Sequence, residues 1–182
     1  MQLRNIAIIF LILVAGNVYA SQREERLDQL FVQLKTSSTV WETKIIENKI
    51  QAIWMISDQE DINLLMRKGI VALQMQELPV ALEVFDLIVT KDPEFAEGWN
   101  KRAMIYYLME NYEASVKDIQ KAIALEPRHF NAFSGLAFIY AKLGKYDDAL
   151  DAFQQLSKIH PRYEGLEDYL SRLKKAVNAT RI

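Results

Sequence analysis

Pro93, Pro127 and Pro161 stand 34 residues apart, and a fixed period of that length restricts a chain to a stack of like supersecondary units. Laid out as 62–95, 96–129 and 130–163, the three segments bring Gly69, Ala103 and Ala137 into one register. Ala81, Ser115 and Ala149 share a second, and Phe85, Ile119 and Phe153 a third. Small residues recur where two helices must touch. The apolar spacing within each segment is helical and breaks at Gln76-Glu77, Glu110-Asn111 and Gly144-Lys145, which predicts two antiparallel helices joined by a tight turn. Pro79 falls at the start of a second helix, where a missing amide costs nothing. Pro93, Pro127 and Pro161 act at the other end, since each disfavours helical geometry in the residue before it. The expected fold is all-α, an α-solenoid of three antiparallel helix pairs.

These residues resemble the tetratricopeptide repeat (TPR) superfamily. The pattern is carried by Trp99, Ala103, Tyr106, Tyr112, Ala122 and Pro127 in the second segment. In the third it is carried by Leu136, Ala137, Tyr140, Leu143, Gly144, Tyr146, Ala149, Phe153 and Pro161. The first segment matches more sparsely, through Gly69, Ala81, Phe85, Asp92 and Pro93. Stretches such as Ala96 to Ala103 look like the short exported members found in alphaproteobacteria. Ile88 and Leu156 stand where the family has a small residue late in the second helix, so helix spacing is expected to change there.

The flanks read as caps. Residues 21–61 hold two helical patterns, 23–35 with Leu27, Leu30, Phe31 and Leu34 on one face, and 39–56 with Trp41, Ile45, Ile46, Ile50, Ile53 and Trp54. Ser38 or Thr39 is the expected amino-terminal cap of the second, with Glu42 three residues beyond Thr39. An atypical first pair is what a stack needs where one face meets water instead of a neighbour. After Pro161, the stripe Leu166, Tyr169, Leu170, Leu173 and Val177 predicts a capping helix in 164–182.

Residues 1–20 read as a secretory signal peptide. Ile6 to Gly16 is unbroken by a polar side chain, and Val18 and Ala20 are compact residues suited to signal peptidase. That stretch is about half of the roughly 20 residues a helix needs to span a bilayer. Cleavage near Ala20 is expected, giving a periplasmic or secreted chain with no stable membrane insertion; an uncleaved anchor is the rival reading. The chain has no Cys, which closes the lipoprotein route and excludes disulfides, thiolate metal sites and a thiol nucleophile. Losing residues 1–20 removes one Arg from the 22 basic residues and none of the 24 acidic ones, leaving a formal net charge of −3. Phosphate neutralisation needs the opposite balance, so no nucleic-acid partner is expected.

Catalytic constellations are sparse. The chain carries no glycine-rich phosphate loop, no Gly-x-Ser-x-Gly elbow and no His-Glu-x-x-His helix. His129 and His160 border the proline turns, where polar side chains normally sit in water, and are expected to be solvated. No enzyme activity, cofactor or metal is predicted.

The resemblance implies instead that the first helix of each pair lines a concave groove that holds a protein or peptide partner. The family's contact positions correspond here to Asn63, Met66, Ile70 and Leu73; to Glu97, Asn100, Met104 and Tyr107; and to Asn131, Ser134, Phe138 and Ala141. Ile70, Met104 and Phe138 occupy one equivalent position and are expected to form an apolar stripe, with the asparagines bonding a partner's backbone. Members that clamp a terminal carboxylate carry Lys and Asn where this chain has Met66, Ile70, Asn131 and Gly135. Only Lys101 matches, so an acidic chaperone tail is not the expected ligand. The function implied is a non-catalytic adaptor in envelope assembly. The alternative is a self-associating structural protein whose groove is filled by its own Leu30 and Phe31 or Trp41 and Trp54.

Overall fold

The computed structural model describes residues 23–180, which are helical throughout apart from short connections. The leader lies outside the described residues, and none of the described helices is long and apolar enough to cross a membrane. The chain divides into two compact units at residues 53 and 54.

The first unit holds α1 (23–36) and most of α2 (Val40–Trp54). Leu27, Leu30, Phe31 and Leu34 are buried on α1, as are Ile46 and Ile50 on α2. Trp41 departs from the expected stripe and is 76% exposed. The start of α2 is a capping arrangement: the Glu42 amide donates to Thr39 Oγ1 at 3.1 Å, and the Glu42 carboxylate reaches back to the Ser38 amide at 2.8 Å. Two of the orphan donors of a helix start are thereby satisfied.

The second unit carries three antiparallel pairs, α3 (Glu60–Gln74) with α4 (Leu78–Lys91), α5 (Ala96–Leu108) with α6 (Tyr112–Leu125), and α7 (Phe130–Lys142) with α8 (Tyr146–Ile159). It is closed by α9 (Leu166–Thr180). Each second helix also packs on the next first helix, α4 on α5, α6 on α7 and α8 on α9, while α5 and α7 meet along the inner side.

All three intra-pair turns use one device. Gln76, Glu110 and Gly144 adopt left-handed backbone, with φ of 60°, 60° and 71°. In each turn two amides return to the helix they have just left, as Gln76 N to Leu73 O and Glu77 N to Ala72 O show at 3.0 and 2.9 Å. This is the Schellman arrangement, which satisfies two orphan carbonyls. At the opposite ends, the pre-proline residues Asp92, Glu126 and His160 leave the helical region, with φ between −129° and −136° and ψ between 78° and 94°. The proline ring disfavours helix there, so the second helix stops.

Side-chain sizes explain how the pairs close. A Cβ at Gly69 would lie 2.6 Å from the ring of the fully buried Phe85, so a side chain there would have to displace that ring. Ile88 is likewise fully buried, and the spacing change expected from its bulk is absorbed by Gly98, whose missing Cβ would sit 2.8 Å from Ile88 Cγ2. The equivalent positions one repeat later are Ala122 and Ala132, both buried. After the third pair they are Leu156 and Leu166, again buried, where α9 takes the place of a further repeat.

An ionic staple ties α4, α5 and α6 together. The guanidinium of Arg102 on α5 donates twice to Asp118 on α6, at 2.6 and 2.8 Å, and once to Asp86 on α4 at 2.8 Å. It also lies over the Trp99 and Tyr106 rings, 4.8 and 5.7 Å from their centroids. The bonds donated to Asp118 hold the guanidinium pKa above its ordinary value despite partial burial.

Candidate functional site: a cleft between the inner helices

Because α5 and α7 are neighbours on the inner side while α6 lies behind them, their facing side chains enclose a cleft of about 250 Å³. Met104 from α5 and Phe138 from α7 supply apolar walls and keep 43% and 36% of their surface in solvent. Tyr107 lines the same cleft and is tilted against Tyr112, with ring centroids 5.8 Å apart. Phe138 is set by two edge-on contacts, to Phe153 at 5.4 Å and to Tyr169 of α9 at 5.1 Å, while Tyr169 stacks on Phe153. The capping helix therefore fixes one wall of the cleft.

The polar side is made by Asn100, Lys101 and Asn131. The side chain of Asn131 lines the cleft and makes no hydrogen bond among the described residues, so its carboxamide offers both donor and acceptor capacity. Asn100 donates to Glu97 Oε2 at 3.1 Å, and Lys101 Nζ lies 3.0 Å from Glu97 Oε1.

Glu97 sits beneath the cleft with 5% of its side chain exposed, and it takes a third partner, Nε2 of His129, at 2.8 Å. His129 is the amino-terminal cap of α7: its Nδ1 accepts from the Ala132 amide at 3.3 Å, which leaves the proton on Nε2 to be donated to Glu97. The ring is fully buried and stacks on Trp54, with centroids 4.3 Å apart and planes 17° apart. Burial pushes the Glu97 carboxyl up, but the hydrogen bond from His129 and the charge and hydrogen bond of Lys101 outweigh it. They bring the pKa from 4.5 to about 2.

Both histidines thus depart from the expected solvated loops. His160 is also fully buried, edge-on to Phe130 at 5.4 Å and to Tyr163 at 5.5 Å. The proline turns direct these side chains into the seams between repeats. A sequence signal existed for His129: its register mates Phe95 and Tyr163 are both aromatic, as expected of a position that packs a flat ring.

Of the expected groove residues, Asn100, Met104, Tyr107, Asn131 and Phe138 are brought together in this cleft. Asn63, Met66 and Ile70 line a separate hollow of about 380 Å³ with Met55, Ile56 and Arg67, so the expected stripe of Ile70, Met104 and Phe138 is split between two places. Asn63 is committed internally, accepting from the Ser57 amide at 2.8 Å and donating to the Ser57 carbonyl at 2.9 Å. Met66 is 2% exposed, and Leu73 packs on the same core cluster. Ser134 is buried and bonded to the Tyr163 hydroxyl at 2.8 Å. Trp54 lies on His129 and Phe130 and is not among the side chains lining the cleft. Sequence reasoning placed Glu97 on the groove wall rather than under it, and did not connect it with His129.

The comparisons agree with this fold. The family model for the tetratricopeptide repeat matches residues 94–162. A TPR repeat-containing protein of Rhizobium etli is 34% identical over 162 residues, which cover 89% of this chain and 79% of that protein. Among solved structures, the first TPR of Spaghetti (RPAP3) bound to the HSP90 peptide SRMEEVD superposes with a TM-score of 0.63 at 18% identity. That match covers 66% of this chain and 96% of the other. MamA superposes with a TM-score of 0.61 at 16% identity, covering 87% of this chain and 84% of its own. The solved structures speak for the fold, and the Rhizobium protein, similar along most of both chains, extends the likeness to sequence. With the 34-residue period, the Schellman turns and the paired helices, this chain belongs to the tetratricopeptide repeat family.

Proposed function

We propose that this chain is a non-catalytic protein-interaction module, exported through its apolar leader to the periplasm or beyond. There it holds a segment of a protein or peptide partner in the cleft between α5 and α7, as an adaptor in envelope assembly. The observation that carries the proposal is the pair of half-exposed apolar walls, Met104 and Phe138, set beside the unbonded amide of Asn131. Covering apolar side chains of this size is worth roughly 1.5 to 3 kcal/mol each before the ordering costs of association are subtracted, which suits micromolar capture. The HSP90 peptide bound to the RPAP3 neighbour supports a peptide as the class of ligand for this architecture.

The test is retention from an envelope extract by the purified protein. Wild type should retain a partner that the Met104→Asp/Phe138→Asp variant loses, and identical retention by both would sink the proposal. A second reading, self-association through the terminal helices, is favoured by Val40 and Trp41, which are 82% and 76% exposed. Light scattering separates the two, since a constant monomer mass across a hundredfold concentration range rejects self-assembly.

A further inference from the structure

The cleft is walled by apolar and amide groups, and Lys101 is the one charged side chain lining it among the described residues. Its ammonium is not available as a free charge. Nζ lies 3.0 Å from Glu97 Oε1, and the lysine side chain is only 23% exposed. Glu97 cannot readily swing away, because its other oxygen is fixed by His129 at 2.8 Å and Asn100 at 3.1 Å, and the His129 ring is clamped by Trp54 and by the Ala132 amide. Lys142, which lies over the Tyr107 and Tyr112 rings, is within 4.0 Å of Glu110 and so is also paired. A partner carboxylate entering here would gain no unspent positive charge and would approach the buried anion of Glu97.

We propose that Glu97 sets the charge selectivity of this cleft: by holding Lys101 and Asn100 from below, it makes the cleft electrically neutral and directs it to an uncharged, apolar internal segment of a partner chain, away from acidic motifs and chain termini. This rests on the reading of the cleft as the binding site. Asn131 then bonds a backbone amide of the segment, and Met104 and Phe138 take one apolar side chain between them. Glu97 is a positioning residue. It acts through Lys101 without touching the ligand.

The test compares two fluorescent heptapeptides on the whole purified protein by anisotropy: the acidic SRMEEVD, and a neutral sequence SQMAAVL with acetylated and amidated ends. Wild type is expected to bind the neutral peptide at least about tenfold more tightly than the acidic one. Glu97→Gln keeps one acceptor oxygen for His129 and Asn100 and turns an amide donor toward Lys101, releasing the ammonium; it is expected to gain about tenfold or more for the acidic peptide, the worth of one charge-assisted hydrogen bond. Adding Lys101→Met to it should erase the gain. An acidic-peptide affinity unchanged in Glu97→Gln, with helicity intact, overturns the proposal. Should Glu97→Gln fail to fold, Lys101→Met alone decides: acidic-peptide affinity within twofold of wild type supports a neutralised lysine, and a fivefold loss overturns it. Failure of the site itself reads differently, as neutral-peptide binding that Met104→Asp/Phe138→Asp leaves untouched.

Discussion

Replacing Arg102 by Met isolates the staple that holds α5, and with it the cleft wall, to its neighbours. The two carboxylates it bonds differ sharply in environment: the Asp118 side chain is 7% exposed and that of Asp86 is 49% exposed. An exposed ion pair is worth about 0 to 1 kcal/mol, so the Asp86 contact contributes little. Stranding a buried carboxylate costs about 3 to 5 kcal/mol, because the charge keeps its desolvation penalty without its partner. Arg102→Met should therefore lose about 3 to 5 kcal/mol, a large share of the roughly 5 to 15 kcal/mol that stabilises a domain. Arg102→Met/Asp118→Asn should recover a good part of that loss, since the second change removes the stranded charge. Arg102→Lys should fall between, because an ammonium cannot donate as the planar fork does. Urea unfolding followed by far-UV circular dichroism gives each midpoint. A loss below about 1 kcal/mol in Arg102→Met, or an equal loss in Asp86→Asn, would refute the assignment of the energy to Asp118.

Further expectations concern the turns, the helix contact and the buried carboxylate. Gln76→Gly and Glu110→Gly should each stabilise by about 0.5 to 1 kcal/mol, relieving left-handed backbone at some entropic cost, and raise the urea midpoint without changing the slope. Gly69→Ala should lower stability by about 1 to 2 kcal/mol, because displacing the Phe85 ring outweighs the gain in helix propensity; thermal melts check the sign. Glu97 has its folded pKa lowered from 4.5 to about 2, so the stability it confers is fully present above pH 4.5 and is lost as pH falls through 2. Chemical denaturation between pH 6 and 2.5 should show wild type losing stability more steeply than Glu97→Gln, and parallel curves would contradict the shift.

Much of the fold was legible because it rests on local geometry that a period exposes. The helix breaks at 76–77, 110–111 and 144–145 and the pre-proline stops at 92, 126 and 160 are set within a few residues, by interrupted apolar spacing and by the proline ring, although the left-handed backbone of Gln76 and Glu110 is not what their side chains prefer. The site was less legible because it depends on contacts between repeats. The family's contact positions place Glu97 on the inner side of α5, yet only the packing of α5 on the turn before α7 shows that its carboxylate meets His129 at 2.8 Å and is buried. The same applies to Ser134, whose register suggested the groove but whose hydroxyl is bonded to Tyr163, and to Asn63, which spends both ends of its amide on Ser57. A polar residue on an inner helix has two possible audiences, a partner or the chain itself. Register alone does not choose between them.

The pairing of Ile88 with Gly98, of Ala122 with Ala132 and of Leu156 with Leu166 bears on how such a chain can change over evolution. The three seams are not interchangeable. Deleting residues 96–129 would bring the side chain of Ile88 against Ala132 in place of a glycine, and duplicating them would set Ala122 against Gly98 and leave a void. Gain or loss of a unit at the boundary between pairs would therefore create a clash or a cavity at the new joint. Side-chain volume disfavours exchange at that boundary, and lengthening the stack there would require a matched second substitution.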